Sequence, residues 1–294
     1  MANSSSETLG SPEELASVQH LIELGYEDPL AVAAHQRRQA REFDEAVKRA
    51  QAWIEAGQFP DAIDCLNHLV EKTPASPEPR WLLARAYFRS GELDAAAGAL
   101  EWLQWHGFEQ AEFAVLRGMI ALRRRAFREA IEQAEYASCL RHPLPAAELI
   151  LGEAFFRIGE LECAAAAYRR ALQADEQDAA ALAGLAAVSL RSGAYEEAVD
   201  RALQALEQNI QLPSTHYRLG LALMHLGRHG EAIAALEAAA RMAPQLAGPH
   251  RWLARIHEAT GNASAAEHRE LGRRIVARRR VRRRAAAGVT AAGT

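Results

Sequence analysis

The sequence predicts an all-α protein built from stacked helical hairpins, and its composition and two periodic patterns support this. Glycines recur every 34 residues between amphipathic segments, and an alanine follows each turn position by five residues. Alanine is abundant and aromatic residues make up only 6% of the chain, which favours closely packed helices because alanine has the highest helix propensity. A fixed period of this length is typical of repeat proteins, which grow by adding units instead of enlarging one core.

The glycine pattern predicts where the turn lies within each hairpin. Glycine tolerates the left-handed backbone that ends a helix, so it is favoured between the two helices of a hairpin. One position of the series holds Arg125 instead, and a left-handed conformation costs a non-glycine residue about 1–2 kcal/mol. The third hairpin is therefore expected to be bent differently or to be locally weaker. The glycines of the series are Gly57, Gly91, Gly159, Gly193, Gly227 and Gly261.

The alanine pattern predicts a close approach between the two helices of each hairpin. A larger residue, such as Tyr168 in the fourth hairpin, then fills the remaining space. The seventh hairpin has Glu270 at that place, which is typical of a terminal unit or a solvating cap. The alanines are Ala62, Ala96, Ala130, Ala164, Ala198, Ala232 and Ala266.

The combination of residues in each unit resembles the tetratricopeptide repeat. The fourth unit carries Leu151-Gly152, Phe155, Gly159, Ala164, Tyr168 and Ala171, and the sixth carries Leu219-Gly220, Leu223, Gly227, Ala232, Leu236, Ala239 and Pro244. The resemblance implies a right-handed superhelical solenoid of seven units over residues 43–270. These units would start near residues 43, 77, 111, 145, 179, 213 and 247.

The segments flanking the repeats give further expectations. Residues 1–11 are expected to be disordered, and residues 12–42 to form a helical leader or cap whose second helix opens at Asp28-Pro29 and continues to Ala56. Residues 271–294 are expected to form a basic helix and a disordered tail. They contain eight arginines and no acidic residue, which leaves a net charge of −12 on the first 270 residues of a chain whose total is −4.

The resemblance implies that the first helices of successive units line a concave groove that binds a protein or peptide. In this register four successive units place an arginine two residues before the turn, each preceded by an apolar residue. Arginine pairs with carboxylates through two parallel hydrogen bonds, so the groove suits a partner with acidic and hydrophobic side chains. The candidate groove residues are Trp81, Arg85, Phe88, Arg89, Leu122, Arg123, Phe156, Arg157, Leu190, Arg191, Tyr217 and Met224.

A purely structural role for these residues is the alternative, with solvated arginines and apolar residues that pack adjacent first helices. Some members of this family hold the C-terminal carboxylate of a chaperone with a set of lysine and asparagine residues. The matching places here hold Val47, Gln51 and Trp81, so that activity is not expected.

No catalytic residue, cofactor or metal site is predicted. The sequence has no phosphate-binding loop and no nucleophile motif in a suitable context, and an enzyme is not expected. His225 and His229 are four residues apart, but Gly227 lies between them at a predicted turn. Three unpaired cysteines, the lack of an apolar leader and the lack of a membrane span indicate a cytoplasmic protein, whose oligomeric state stays open.

The sequence leaves two further functions open. A regulatory or assembly subunit of an enzyme complex is one, because Leu24-Gly25-Tyr26 resembles a link that precedes repeat arrays in some proteins of the alkaline-phosphatase superfamily. An adaptor that contacts nucleic acid through Arg278–Arg284 is the other, since clustered arginines attract phosphates.

Overall fold

The predicted all-α fold is confirmed over the part of the chain that the computed structural model describes, residues 29–141 and 144–291. These residues form fourteen α-helices and no strand. The helices are α1 (Pro29–Ala56), α2 (Phe59–Lys72), α3 (Pro77–Ser90), α4 (Leu93–Trp105), α5 (Ala111–Arg124), α6 (Phe127–Leu140) and α7 (Pro145–Ile158). They continue as α8 (Leu161–Ala174), α9 (Ala179–Ser192), α10 (Tyr195–Gln208), α11 (Pro213–His225), α12 (His229–Met242), α13 (Ala247–Ala259) and α14 (Ser264–Ala291). The predicted leader helix before residue 25 lies outside the described residues.

Consecutive helices pair as hairpins, and the chain divides into two compact units, Met1–Glu109 and Gln110–Thr294. The first unit contains helices α1 to α4, and the second contains helices α5 to α14. Within each unit, the first helix of a hairpin packs against the second helix of the hairpin before it. Within a unit, each later hairpin therefore covers an apolar face that its predecessor leaves open.

The turn between the two helices of a hairpin has a left-handed residue at every predicted position. The glycine φ angles run from 69° at Gly261 to 98° at Gly159. Arg125 has a φ of 65° and is the only non-glycine residue with a positive φ among the described residues. The amide of Ala126 donates to the carbonyl of Ala121, just as Glu160 donates to Phe155 at a glycine turn. The third turn is thus not bent differently, and Arg125 carries the strain that the sequence predicts.

Six of the seven predicted alanines are buried between the helices of their hairpins, each at most 2% exposed. The seventh prediction is wrong, because Ala266 is exposed and Ala265 is buried instead. In earlier hairpins this alanine's amide donates to the carbonyl four residues before it, whereas Ala265 donates to Asn262, three residues before it. The tighter first turn of α14 advances the inward-facing position by one residue.

Candidate partner-binding surface

In the second unit, the first helices α5, α7, α9 and α11 lie next to one another, because each contacts the following first helix directly. Asp178 fixes the start of α9 by accepting hydrogen bonds from the amides of Ala180 and Ala181, at 2.8 and 2.9 Å. Such a cap satisfies amides that have no partner within the helix. We call the solvent side of α7, α9 and α11 the first-helix surface.

Two of the predicted arginines stand on this surface, and the protein itself holds both of them. Nη1 of Arg191 donates to the carbonyl of Phe156 at 2.6 Å, and its guanidinium lies 4.7 Å from the centre of the Phe156 ring. Nη2 of Arg157 lies 2.7 Å from Oε1 of Glu153, one turn earlier on α7. Both side chains remain exposed. Their guanidinium groups are therefore positioned before any partner arrives.

A polar cluster lies beneath the arginines and joins α7, α8, α9 and α11. The ring of Tyr168, from α8, passes between Gly152 and Gly184, and its hydroxyl donates to Oε2 of Glu153 at 3.4 Å. Nη1 of Arg218, from α11, donates to the carbonyl of Ala183 on α9 at 3.3 Å. The Tyr168 side chain of the second helix α8 therefore extends between the first helices α7 and α9, and its hydroxyl reaches Glu153.

Burial shifts the pKa values of two groups in this cluster. Burial raises the pKa of Tyr168 well above its usual range, the carboxylate of Glu153 raises it further, and Arg218 opposes the effect. Burial lowers the pKa of Arg218, while Glu153 and Tyr168 oppose that change. Guanidinium groups keep their proton in proteins. At neutral pH the cluster therefore combines a neutral hydroxyl with a half-buried positive charge.

The predicted apolar positions of the second unit contribute more to packing than to open surface. Leu122, Leu190 and Met224 are half-buried and pack against the hydrophobic core. The ring of Tyr217 lies over Gly248 of α13, where an added Cβ would come within 2.9 Å of it. Phe156 is half-buried beneath Arg191. Arg123 is exposed.

The predicted residues of the first unit lie on α3. Phe88 is only 8% exposed, and Trp81 and Arg85 are half-buried. Arg89 is exposed, and its guanidinium lies 5.6 Å from the centre of the Phe59 ring. In this unit too, the arginine is the accessible member of the pair and the apolar residue is buried.

Sequence reasoning missed the roles of Glu153 and Arg218. A signal for Arg218 was present, because the same place in three earlier units holds Leu82, Leu116 and Ile150. A charged residue at a place that is apolar in other units indicates a polar interaction in addition to hydrophobic packing. The preceding unit has Gly184 at this place, where no side chain competes with Tyr168 for the space between the helices.

Two classes of site are not found among the described residues. No group of three or more His, Cys, Asp or Glu side chains there is arranged to hold a metal ion. No helix in residues 29–141 and 144–291 is long and apolar enough to cross a membrane.

The repeats match a sequence model of a known family. The model of the tetratricopeptide repeat matches residues 47–102, 115–179 and 217–280, which together exceed half of the chain. The chain belongs to the tetratricopeptide repeat family. A second model, for subunit 3 of the anaphase-promoting complex, or cyclosome, matches residues 158–239 of this tetratricopeptide repeat protein.

Curated relatives share only part of the chain. Tetratricopeptide repeat protein 28 of Mus musculus and that of Homo sapiens are each 34% identical over 77 residues. The match covers 26% of this chain and 3% of each relative. The chain therefore spans only a small fraction of the length of these relatives.

Solved structures share the fold. A chain of the APC/C hetero-tetramer Cut9–Hcn1 superposes with a TM-score of 0.65 at 17% identity, covering 82% of this chain and 52% of that one. A double mutant of MamA RS-1 superposes with a TM-score of 0.50 at 19% identity, covering 57% of this chain and 96% of that one. This tetratricopeptide repeat protein has the fold of protein–protein interaction scaffolds, a family that is generally not enzymatic.

Proposed function

We propose that the protein is a scaffold whose first-helix surface binds a peptide segment that carries acidic and hydrophobic side chains. The observation that carries the proposal is the fixed placement of two exposed guanidinium groups, Arg157 and Arg191, on adjacent first helices. Side chains that are already ordered lose less conformational entropy on binding. Arg157 and Arg191 retain donors beyond those used by Glu153 and by the Phe156 carbonyl.

The polar cluster beneath these arginines supports a preference for acidic partners. Arg218 adds a third positive charge, and Glu153 is the acid that interacts with it. A partner carboxylate would find a net positive environment beside the half-buried ring of Phe156. Charged groups arranged in this way contribute to specificity and to the association rate.

The test compares partners that co-purify with the wild-type chain and with two charge-reversal variants. Arg157→Glu combined with Arg191→Glu should remove a defined set of proteins from the captured fraction, quantified by mass spectrometry. The control is Arg169→Glu on α8, because Arg169 is exposed on a second helix of the same hairpin as Arg157. If the double variant captures the same set as wild type, the first-helix surface is not the binding site.

An assembly-subunit role is a second candidate, and one observation favours it. Residues 158–239 match a model of a subunit of the anaphase-promoting complex, so the repeats of α8 to α12 are similar to those of a protein that works within a larger assembly. Size-exclusion chromatography of a native extract would separate the two roles. A subunit would elute in one high-mass complex of fixed composition, whereas an adaptor would spread over several.

The link to a phosphohydrolase rests on Leu24-Gly25-Tyr26, which lies outside the described residues. The side chains of Arg278–Arg280 on α14 are exposed, and those of residues 282–284 are outside the described part. Nuclease treatment of the captured fraction checks the nucleic-acid alternative, because partners bridged by nucleic acid would then be lost.

A further inference from the structure

The last hairpin, α13 with α14, has an outer face that no described helix covers. Every earlier hairpin of the second unit, by contrast, is covered by the next first helix. Helix α7 contacts α5 and α6, α9 contacts α7 and α8, and α11 contacts α9 and α10. Helix α14 has 28 residues and continues well past the length of α13, which has 13.

A cleft of about 780 Å³ lies on this face, and its floor is made of small and aliphatic residues. Ala254 on α13 lies at the bottom of the cleft and is only 4% exposed. Gly272, Val276 and Ala277 of α14 complete the floor.

Arginines stand on both sides of this cleft. Arg251 and Arg255 lie on α13, and Arg269, Arg273 and Arg280 lie on α14, against one acidic residue, Glu258. All five arginines are exposed. Glu258 forms an ion pair with Arg269, and the Arg255 guanidinium lies 4.7 Å from the centre of the Trp252 ring. The remaining positive charge is not balanced by any acid that lines the cleft.

We propose that this terminal cleft binds an acidic amphipathic helix of a partner protein, at the place where a further first helix would pack. The exposed part of the floor is formed by Val276 and Ala277 of α14, and a helix can approach closely at Ala277 because its side chain is short. Its carboxylates would meet the arginines along the two walls, whereas an apolar or basic helix would leave those charges desolvated without partners. The proposal does not depend on the first-helix surface, which lies on other helices.

The apolar floor favours a helix over nucleic acid as the occupant. Phosphates would satisfy the arginines, but a sugar–phosphate backbone would gain nothing from covering Val276 and Ala277. No aromatic ring lines the cleft, and single strands rely on aromatic rings for base stacking.

The test uses the full chain and a fluorescent synthetic peptide, measured by anisotropy. The peptide has about 14 residues, with Leu and Ala at helical three- and four-residue spacing and Glu at the other positions. Arg255→Glu combined with Arg273→Glu should weaken its binding at least about tenfold, since partner carboxylates would face acids instead of arginines. Arg278→Glu is the matched control, because Arg278 has the same charge on the same helix but lines a different pocket.

A second variant separates charge from shape. Ala277→Trp fills the cleft from the exposed side of α14 without a change of charge, and it should also weaken binding while leaving the circular dichroism spectrum unchanged. A peptide with Lys in place of Glu should not bind.

Five results would overturn the proposal. The first is that the glutamate peptide does not bind, and the second is that it binds both variants as tightly as it binds wild type. A scrambled glutamate peptide that binds equally well would reduce the effect to attraction between opposite charges. A single-stranded DNA that binds more tightly and displaces the peptide would make this a nucleic-acid site. Concentration-dependent dimerisation that the double variant abolishes would identify a second copy of the chain as the occupant.

Discussion

The phenol ring of Tyr168 lies directly against the α-carbon of Gly184, on the first helix of the following hairpin. A Cβ at Gly184 would overlap the ring, and one at Gly152, on the other side, would lie 2.5 Å from it. Tyr168 is 3% exposed, so the ring has no open space into which it could move. The two glycines let a side chain from a second helix pass between two first helices.

We expect Gly184→Ala to lower the free energy of unfolding by about 1–3 kcal/mol, because overpacking a rigid core costs that much. For a net loss, the free-energy cost of the clash has to exceed the gain in helix propensity, which is about 1 kcal/mol for Gly to Ala. Urea denaturation followed by circular dichroism measures the change.

Gly230→Ala is the control for this prediction, since Gly230 lies in α12 with nothing within 4 Å of an added Cβ. It should raise the stability by up to about 1 kcal/mol. Combining Gly184→Ala with Tyr168→Leu should remove most of the penalty of the alanine. If the stability changes of the two substitutions simply add, the ring of Tyr168 is not the cause of the penalty at Gly184.

Arg125→Gly should stabilise the protein by about 1 kcal/mol, because Arg125 has a φ of 65° and glycine adopts this conformation without the steric cost. The gain is partly offset by the greater freedom of glycine in the unfolded chain. The midpoint of thermal unfolding reports the effect. Glu135→Gly, at an exposed position inside α6, should instead destabilise by about 1 kcal/mol. A loss of stability in Arg125→Gly would contradict the strain assigned to this turn.

Arg170→Met should destabilise the fourth hairpin by about 1–2 kcal/mol, because it leaves a buried carboxylate without its partner. Nε and Nη2 of Arg170 lie 3.0 and 2.8 Å from Oε2 of Glu148, whose side chain is only 10% exposed. The value stays modest because Arg170 is itself half exposed, so water replaces part of the bond. Chemical denaturation measures it.

Arg169→Met is the matched control, since Arg169 is an exposed neighbour, and its denaturation midpoint should not move. Replacing both Arg170 and Glu148 by apolar residues should recover much of the loss. If the double replacement is less stable than Arg170→Met alone, the loss in Arg170→Met is not caused mainly by the unpaired carboxylate of Glu148.

The contact between α13 and α14 should weaken as the pH falls. Nδ1 of His250 lies 3.2 Å from Nδ1 of His268. Burial lowers the pKa of both rings, neighbouring histidines add to the effect, and Glu237 and Glu267 oppose it at His268. A histidine with a folded-state pKa below its unfolded value of about 6.5 favours unfolding once the pH drops below that value.

Hydrogen-exchange protection factors in α14 should therefore be lower at pH 5.5 than at pH 7.5. His268→Asn should flatten this dependence, because it removes one charge of the pair. Protection factors in α2, which belongs to the other unit, serve as the internal reference. If the protection factors of α14 do not change over this pH range, protonation of the two histidines does not weaken the contact between α13 and α14.

The sequence by itself determined the repeat, the helix class and the position of the turn within each hairpin. Glycine spacing located the left-handed turns because that backbone conformation depends on local sterics, and Arg125 follows the same rule at a cost. The buried alanines of six hairpins were equally predictable, since a helix of fixed pitch brings the same place inward in each unit.

Only the tertiary structure decided how the candidate site is arranged. The passage of Tyr168 between two glycines, the contact of Arg218 with a carbonyl 35 residues earlier, and the one-residue shift to Ala265 all arise between helices or at a changed first turn. A periodic pattern records which residue occupies a place, but not which neighbour it meets there. Long side chains such as arginine reach beyond their own unit, so their partners depend on packing that a single repeat does not encode.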